Sequence, residues 1–450
     1  MLPSVRPRGP RRTAAAAARR ASGLSLLAAA ALAVLPACAS GQPSWGGRPA
    51  ATPAQTPPRT ATPPAATPPV ATSPVAAPPV AAPPVAAPVL GRTLLARVDS
   101  LMDRAVEERA FPAATVSIGV GADVRLVRAY GRFTYDASSP AVTADSPFDM
   151  ASLTKVIATT TAAMLLVDRG QLDLSAPLSR YLPELAATNK RAVTVRQVMT
   201  HSAGLRPFIS FHTQGVTTRE ALLAAILADD LVYTPGTDTR YSDFGFILLG
   251  LAVERIAGVP LDQFCARDIW GPLGMTATHF RPVGRSAGSD AVVPTEVDNL
   301  YRKRLVQGEV HDETAWTLGG VAGHAGLFST APDLARFAAM LASQGRLPDG
   351  RVFITPATLR LFTTRANDVP GSSRAIGWDT RSETGYSSAG TKFGPRSFGH
   401  TGFTGTSLWV DPDRGLWVVL LTNRVYPTRE NTRHSAVRSD LADLAVDGTR

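Results

Sequence analysis

The chain has 450 residues, enough for one large or two modest domains, and a formal net charge of +10. Residues 1–92 hold nine Arg and no Lys, Asp or Glu, which leaves 37 basic against 36 acidic residues over 93–450. A folded part so close to neutral lacks the basic surface that nucleic-acid binding needs, and that class of function is set aside.

The N-terminus carries Arg6, Arg8, Arg11, Arg12, Arg19 and Arg20 ahead of an apolar stretch from Leu24 to Pro36. About 13 apolar residues fall short of the ~20 that span a bilayer, and the flanking positive charge fits an export signal over 1–37. Leu35-Pro36-Ala37-Cys38 is similar to a bacterial lipoprotein box, with Cys38 as the acylated first residue of the mature protein. The alternative is an ordinary signal peptide cut near Ala39. The lipoprotein reading places the protein in the bacterial cell envelope, periplasmic or outer-surface, with a membrane partner through the Cys38 anchor.

Residues 38–92 read as a tether. Fifteen of the 37 prolines fall between Gly41 and Leu90, among Ala, Thr and Val. Such a segment has few backbone donors and almost nothing large to bury.

Folded sequence is expected from 93 to 450. Leu94, Val98, Leu101, Met102 and Ala105 are spaced for one helix face. Ala114 to Val120 and Val124 to Tyr130 read as a hairpin, and Ser407 to Val410 with Leu416 to Thr422 as a second. Between them, capping-box patterns at Thr194 to Gln197 and Thr217 to Glu220 open helices, and Asp243 is a candidate cap for a third ending at Gly258. The expected fold is α+β: an antiparallel sheet formed by both chain ends and flanked by helices, with an all-helical subdomain.

Lysine is scarce, only Lys155, Lys190, Lys303 and Lys392 against 42 Arg. Lys155 lies three residues after Ser152, ahead of an almost wholly apolar or Thr run to Val167. The run predicts a buried helix with Ser152 in its first turn and Lys155 on the same face. A poorly solvated Lys has a depressed pKa and can relay the Ser152 proton. Tyr241-Ser242-Asp243 and His400-Thr401-Gly402 follow in widely separated segments.

Ser-x-x-Lys, Tyr-x-Asp and His-Thr-Gly in that order resemble the serine β-lactamase and penicillin-binding protein superfamily, in its class C type. The segments 199–205, 270–275 and 319–329, with Pro294-Thr295-Glu296, Val310 to Glu313 and Leu421 to Arg424, look most like the subgroup of penicillin-binding protein 4B type D-alanyl-D-alanine carboxypeptidases. The resemblance implies Ser152 as nucleophile, Lys155 as its proton partner and Tyr241 as general base. It sets His400, Thr401, Gly402 and Asp243 on the substrate side, with the backbone N–H groups of Ser152 and Phe403 as the oxyanion hole. It implies no metal and no cofactor. The substrates it implies are peptidoglycan peptides, with β-lactams, esters or a slowly deacylating sensor role as alternatives.

Two departures from the lactamase pattern matter. Asp243 replaces Asn, and either it favours the charged form of Lys155 and moves the base role to Tyr241, or it points away as a helix cap. His400 replaces Lys, which tilts the reading away from efficient β-lactam hydrolysis. His201, His311 and His324 lack zinc-ligand spacing and read as loop or supporting histidines. Trp316, Trp378 and Trp409 read as core residues, and Cys265 as a small buried apolar one.

Overall fold

The computed structural model describes residues 92–282 and 291–449; the expected signal segment, Cys38 and almost the whole tether lie outside them. Its central sheet has six antiparallel strands: β1 (Ala113–Val120), β2 (Asp123–Gly131), β3 (Asp379–Thr380), β4 (Phe398–Thr401), β5 (Ser407–Asp411) and β6 (Leu416–Thr422). Their order is β2-β1-β6-β5-β4-β3, so the N-terminal hairpin joins the C-terminal strands through β1 and β6. The register runs from Ala114 opposite Thr422 to Val120 opposite Leu416. Both expected hairpins are present.

The central strands are buried on both faces, and their side chains alternate between two cores. Leu416, Val418 and Leu420 of β6 pack with Val116 and Ile118 against two helices, α1 (Arg92–Glu107) and one introduced below as α5. Trp417, Val419 and Leu421 face the other way, into the larger core. Gly119 is required where β1 passes Trp417, because a Cβ there would sit 2.1 Å from the indole ring.

The larger core is built on the segment after Ser152. Lys155–Thr160 is wound as a π-helix and continues into α2 (Thr161–Asp168), with every residue from 155 to 166 buried. Six of the residues from 156 to 167 are β-branched, a poor set for helix propensity, so packing holds the segment. The wide first turn is closed by Thr161 Oγ1, which donates to the Val156 carbonyl at 2.8 Å. Around it lie α3 (Asp243–Ala257), α4 (Ala331–Ala342), which packs under the sheet, and shorter helices. The final helix, α5 (His434–Gly448), returns to pair with α1.

A small sheet matters to the site. Phe148–Asp149 pairs with Leu327–Ser329, which also pairs with His279–Phe280. This brings 319–329 alongside the residues leading to Ser152.

Two caps differ from expectation. The helix Arg219–Ala228 is capped by Thr218, whose side chain accepts from Ala221 N, rather than by Thr217 in a box with Glu220. Ser242, not Asp243, caps α3, which leaves the Asp243 carboxylate free for another partner. The box at Thr194 and Gln197 is present with both bonds made. Trp378 and Trp409 are core residues, but Trp316 is 37% exposed. It stands against a cavity of about 310 Å³ that Arg281 and Glu309 also line.

Candidate active site

Ser152 follows Ala151, a non-glycine residue in the left-handed region at φ +46°. Asp149 imposes that turn from a buried position: one carboxylate oxygen accepts from Ala151 N and the other from His311 N, each at 2.7 Å. The bend presents Ser152 at the head of the buried helix, partly exposed.

Lys155 has no exposure at all. Its ammonium donates to Ser152 Oγ at 3.0 Å and to the His324 carbonyl at 3.1 Å, and stands 2.7 Å from Asp243 Oδ1. An ammonium has three N–H donors, and here oxygens of Ser152, His324, Asp243 and Tyr241 surround it. Burial alone pulls the Lys155 pKa down, but Asp243 and then Tyr241 push it back, and the net direction is above the ordinary lysine value. Of the two alternatives read for Asp243, the structure has the one in which its carboxylate faces Lys155 and favours the charged lysine.

The Tyr241 ring lies 4.9 Å from the Lys155 ammonium and 5.2 Å from the Arg374 guanidinium. The His201 ring packs against it, tilted by 40°, at 4.5 Å between ring centres. His201 is held by Ser242 N, which donates to its Nδ1 at 3.1 Å, so the ring is an acceptor at that atom. Burial, then Arg374 and Lys155, drive the His201 pKa well below the usual range, and the ring is neutral. The Tyr241 hydroxyl is buried, and among the described residues its nearest charged neighbour is the Lys155 ammonium, with no aligned hydrogen bond beyond it.

His400 lies on the far side of Tyr241, 5.9 Å between ring centres. Its Nδ1 is 2.7 Å from the Thr401 carbonyl, which can only accept, so Nδ1 carries the proton. Burial, then the Lys155 and Arg374 charges, hold its pKa down to about 3. Nε2 is thus a bare, buried acceptor without a partner among the described residues. His400 offers a lone pair to a bound molecule, and no positive charge.

The turn after β4 is clipped onto the nucleophile turn. Thr404 Oγ1 donates to the Asp149 carbonyl at 2.8 Å and Thr406 Oγ1 to the Met150 carbonyl at 3.1 Å. A Cβ on Gly402 would fall 2.5 Å from Met150 O and 2.1 Å from Thr406 Oγ1, so only glycine allows this approach. Neither the Ser152 N–H nor the Phe403 N–H is used by any other group among the described residues.

The chain matches the beta-lactamase family over residues 98–443. It belongs to that family. It is 32% identical over 363 residues to an N-acetylmuramyl-L-alanine amidase of Bacillus subtilis, covering 73% of this chain and 81% of the relative. It is 30% identical over 301 residues to a putative D-alanyl-D-alanine carboxypeptidase of Escherichia coli, covering 62% and 69%. Among solved structures, a penicillin-binding protein homologue from Caulobacter crescentus shares the fold with a TM-score of 0.62, at 22% identity, over 79% of this chain and 97% of that one. The chain is thus a serine hydrolase of β-lactamase fold, as its motifs imply.

In this family frame the structure brings Ser152, Lys155, Tyr241, Asp243, His400 and Thr401 into one contact chain, with Gly402 and Phe403 against the nucleophile turn. Asp243 takes Lys155 rather than the open cleft. Sequence reading missed Asp149, Arg374 and the supporting role of the 319–329 segment. Gly323 in that segment packs on α3, where a Cβ would lie 2.0 Å from the Phe246 carbonyl. This close approach delivers the His324 carbonyl to Lys155. His324 Nε2 is in turn 2.9 Å from Asp312 Oδ1. The resemblance of the 319–329 segment to the penicillin-binding protein 4B subgroup was the sequence signal of this support. A larger cavity, about 830 Å³ between α1 and α5, is lined by Lys392 and Asp443 and contains none of these groups, so the site is assigned on chemistry and not on volume.

Proposed function

We propose that the protein is an exported serine hydrolase that acts through an acyl-enzyme on Ser152, with D-alanyl-D-alanine carboxypeptidase-like activity on peptidoglycan stem peptides. The observation that carries the mechanism is the Lys155–Asp243 pair: it favours the charged lysine, which donates to Ser152 Oγ, so the serine proton is left to another acceptor. Tyr241, whose hydroxyl also lies against the Lys155 ammonium, is the acceptor that the motif order implies. Ser152 Oγ attacks the amide carbon as its proton passes to the Tyr241 oxygen, and the Tyr241 proton goes on to the leaving nitrogen. The Lys155 and Arg374 cations beside the ring stabilise negative charge on the phenol oxygen while the proton is in transit. The Ser152 and Phe403 N–H groups receive the carbonyl oxyanion, and water then hydrolyses the acyl ester by the reverse route.

Substrate choice is supported by His400 and by the relatives. A neutral His400 with a bare Nε2 accepts from an N–H of a bound peptide. Where lactamases carry Lys, it gives no fixed charge to a β-lactam carboxylate. The motif resemblance also sets the Thr401 hydroxyl on the substrate side. The similarity to a muramyl-alanine amidase favours a second reading, cleavage of the amide that joins the stem peptide to the sugar. In either reading an anchor at Cys38 and a tether over 38–92 would carry the hydrolase into the cell envelope. Incubation with a purified disaccharide pentapeptide separates the two: release of free D-alanine supports the carboxypeptidase, release of the intact peptide the amidase, and neither product contradicts both.

A further inference from the structure

The carbonyls of the turn after β4 converge on two arginines. Arg438, on α5 and only 9% exposed, donates through one terminal nitrogen to the Gly402 and Thr406 carbonyls, both at 2.7 Å, and through Nε to the Gly405 carbonyl at 3.2 Å. Arg424 Nε donates to the Phe403 carbonyl at 2.6 Å, and the same guanidinium lies 4.3 Å from the Phe403 ring. No carboxylate pairs with Arg438 among the described residues; its partners are main-chain oxygens and the Tyr386 hydroxyl. A buried cation without a counter-ion is costly, and here three of its hydrogen bonds go to one five-residue turn.

The geometry of the peptide group gives that arrangement a consequence. The Gly402 carbonyl and the Phe403 N–H belong to the same planar trans peptide and point in opposite directions. When Arg438 draws the carbonyl towards α5, the N–H must face away from it, onto the side where Thr404, Thr406 and Gly402 press against 149–151. Arg424 fixes the next peptide plane in the same way, so the turn cannot rotate about Phe403. We propose that Arg438, assisted by Arg424, is a positioning residue that aims the Phe403 N–H into the oxyanion hole, from a helix that contributes no group to the reacting atoms. The inference rests on the reading of Ser152 as the acylated nucleophile.

The test uses the full chain and p-nitrophenyl acetate, with the thiono ester in which sulfur replaces the carbonyl oxygen. Arg438→Gln removes the charge, and Arg438→Lys keeps it while losing the fork. Loss of an oxyanion donor costs on the order of 10²–10³ in kcat, and misaiming one is expected to cost at least ~10-fold with KM within ~2-fold. The preference for the oxygen ester over the thiono ester also shrinks, because sulfur is the weaker acceptor, and a purely structural role would not change that ratio. Arg438→Lys keeps the result interpretable if Arg438→Gln does not fold. Wild-type kcat in a folded variant overturns the proposal, as does a loss of kcat with an unchanged ester preference. Ester turnover that persists in Ser152→Ala overturns the underlying reading instead, and removes the inference with it.

Discussion

A carboxylate oxygen of Asp243 stands 2.7 Å from the fully buried Lys155 ammonium. That pair decides which group in the site can take a proton, because it keeps Lys155 charged where burial alone would neutralise it. The pairing exists because Ser242 takes the cap of α3 and leaves Asp243 in the first turn, directed at Lys155.

Asp243→Asn tests this directly. Without the carboxylate, burial dominates, and Lys155 loses its proton at lower pH. For the wild type the sign is fixed by a raised folded pKa: the pair stabilises below the ordinary lysine value and is lost only as pH rises through the raised one. The alkaline limb of the acylation rate is therefore expected to move to lower pH in the variant. The wild type keeps the pair's contribution up to the ordinary lysine value, so the melting-temperature gap should be largest at pH 6 and narrow with rising pH only as the variant sheds the Lys155 proton and is relieved of an unpaired buried charge. A gap that does not change with pH contradicts the pair.

Tyr241→Phe separates stability from chemistry. The buried hydroxyl lies against the Lys155 ammonium, which keeps its Ser152, His324 and Asp243 partners when the oxygen is removed, so the fold loses little. The expected outcome is an unchanged or slightly raised melting temperature, with turnover reduced by about 10²–10⁴. Differential scanning fluorimetry and steady-state rates on the same sample check both halves. A variant that loses stability and keeps its rate contradicts the role given to the oxygen.

Acid sensitivity follows from three buried neutral imidazoles. His201 is held well below its usual range, and His400 and His434 each down to about 3, in every case chiefly by burial. A depressed folded pKa gives stability that is present above the unfolded value, near 6.5, and lost as pH falls towards the folded one. Each group contributes up to ~1.4 kcal/mol per pH unit across that window. Unfolding between pH 6.5 and 4 should take up as many as three protons on these groups, and His434→Gln should remove one from that uptake. Denaturant titrations at a series of pH values measure it.

Gly323→Ala is expected to act at a distance from the nucleophile. Its Cβ would meet the Phe246 carbonyl at 2.0 Å and the backbone of Gly250 at 3.0 Å, and none of these is a flexible side-chain end. Overpacking of this kind costs ~1–3 kcal/mol. It also lifts the His324 carbonyl from Lys155, so acylation should slow along with the loss of stability. An alanine variant of wild-type stability contradicts this packing.

Much of this was legible in the sequence, for identifiable reasons. Both hairpins were visible because β-branched runs flank Gly121-Ala122-Asp123 and Asp411-Pro412-Asp413, local signals that long-range contacts do not alter. Ser152, Lys155 and Tyr241 were visible because lysine is scarce and the motifs fall in a fixed order. The caps at Thr218 and Ser242 were missed by one residue, since a run of Thr or a Ser-Asp pair offers two oxygens and only the packed helix selects one. The state of Lys155 was legible only as a pair of alternatives, because it depends on where Asp243 points. Arg374 and Arg438 were invisible, and Arg424 was seen only as the end of the 421–424 segment, without a role: in a chain with 42 Arg, nothing local marks the ones that fold inward.

The central claim is that Ser152 is the acylated nucleophile. Intact-mass spectrometry of the full chain with a fluorescent penicillin, followed over time beside Ser152→Ala, tests it most directly. The account predicts a covalent adduct of one drug molecule that persists in the wild type and is absent from the variant. Equal labelling of Ser152→Ala contradicts the nucleophile. Rapid release of opened drug by the wild type contradicts the proposed preference for peptides over β-lactams.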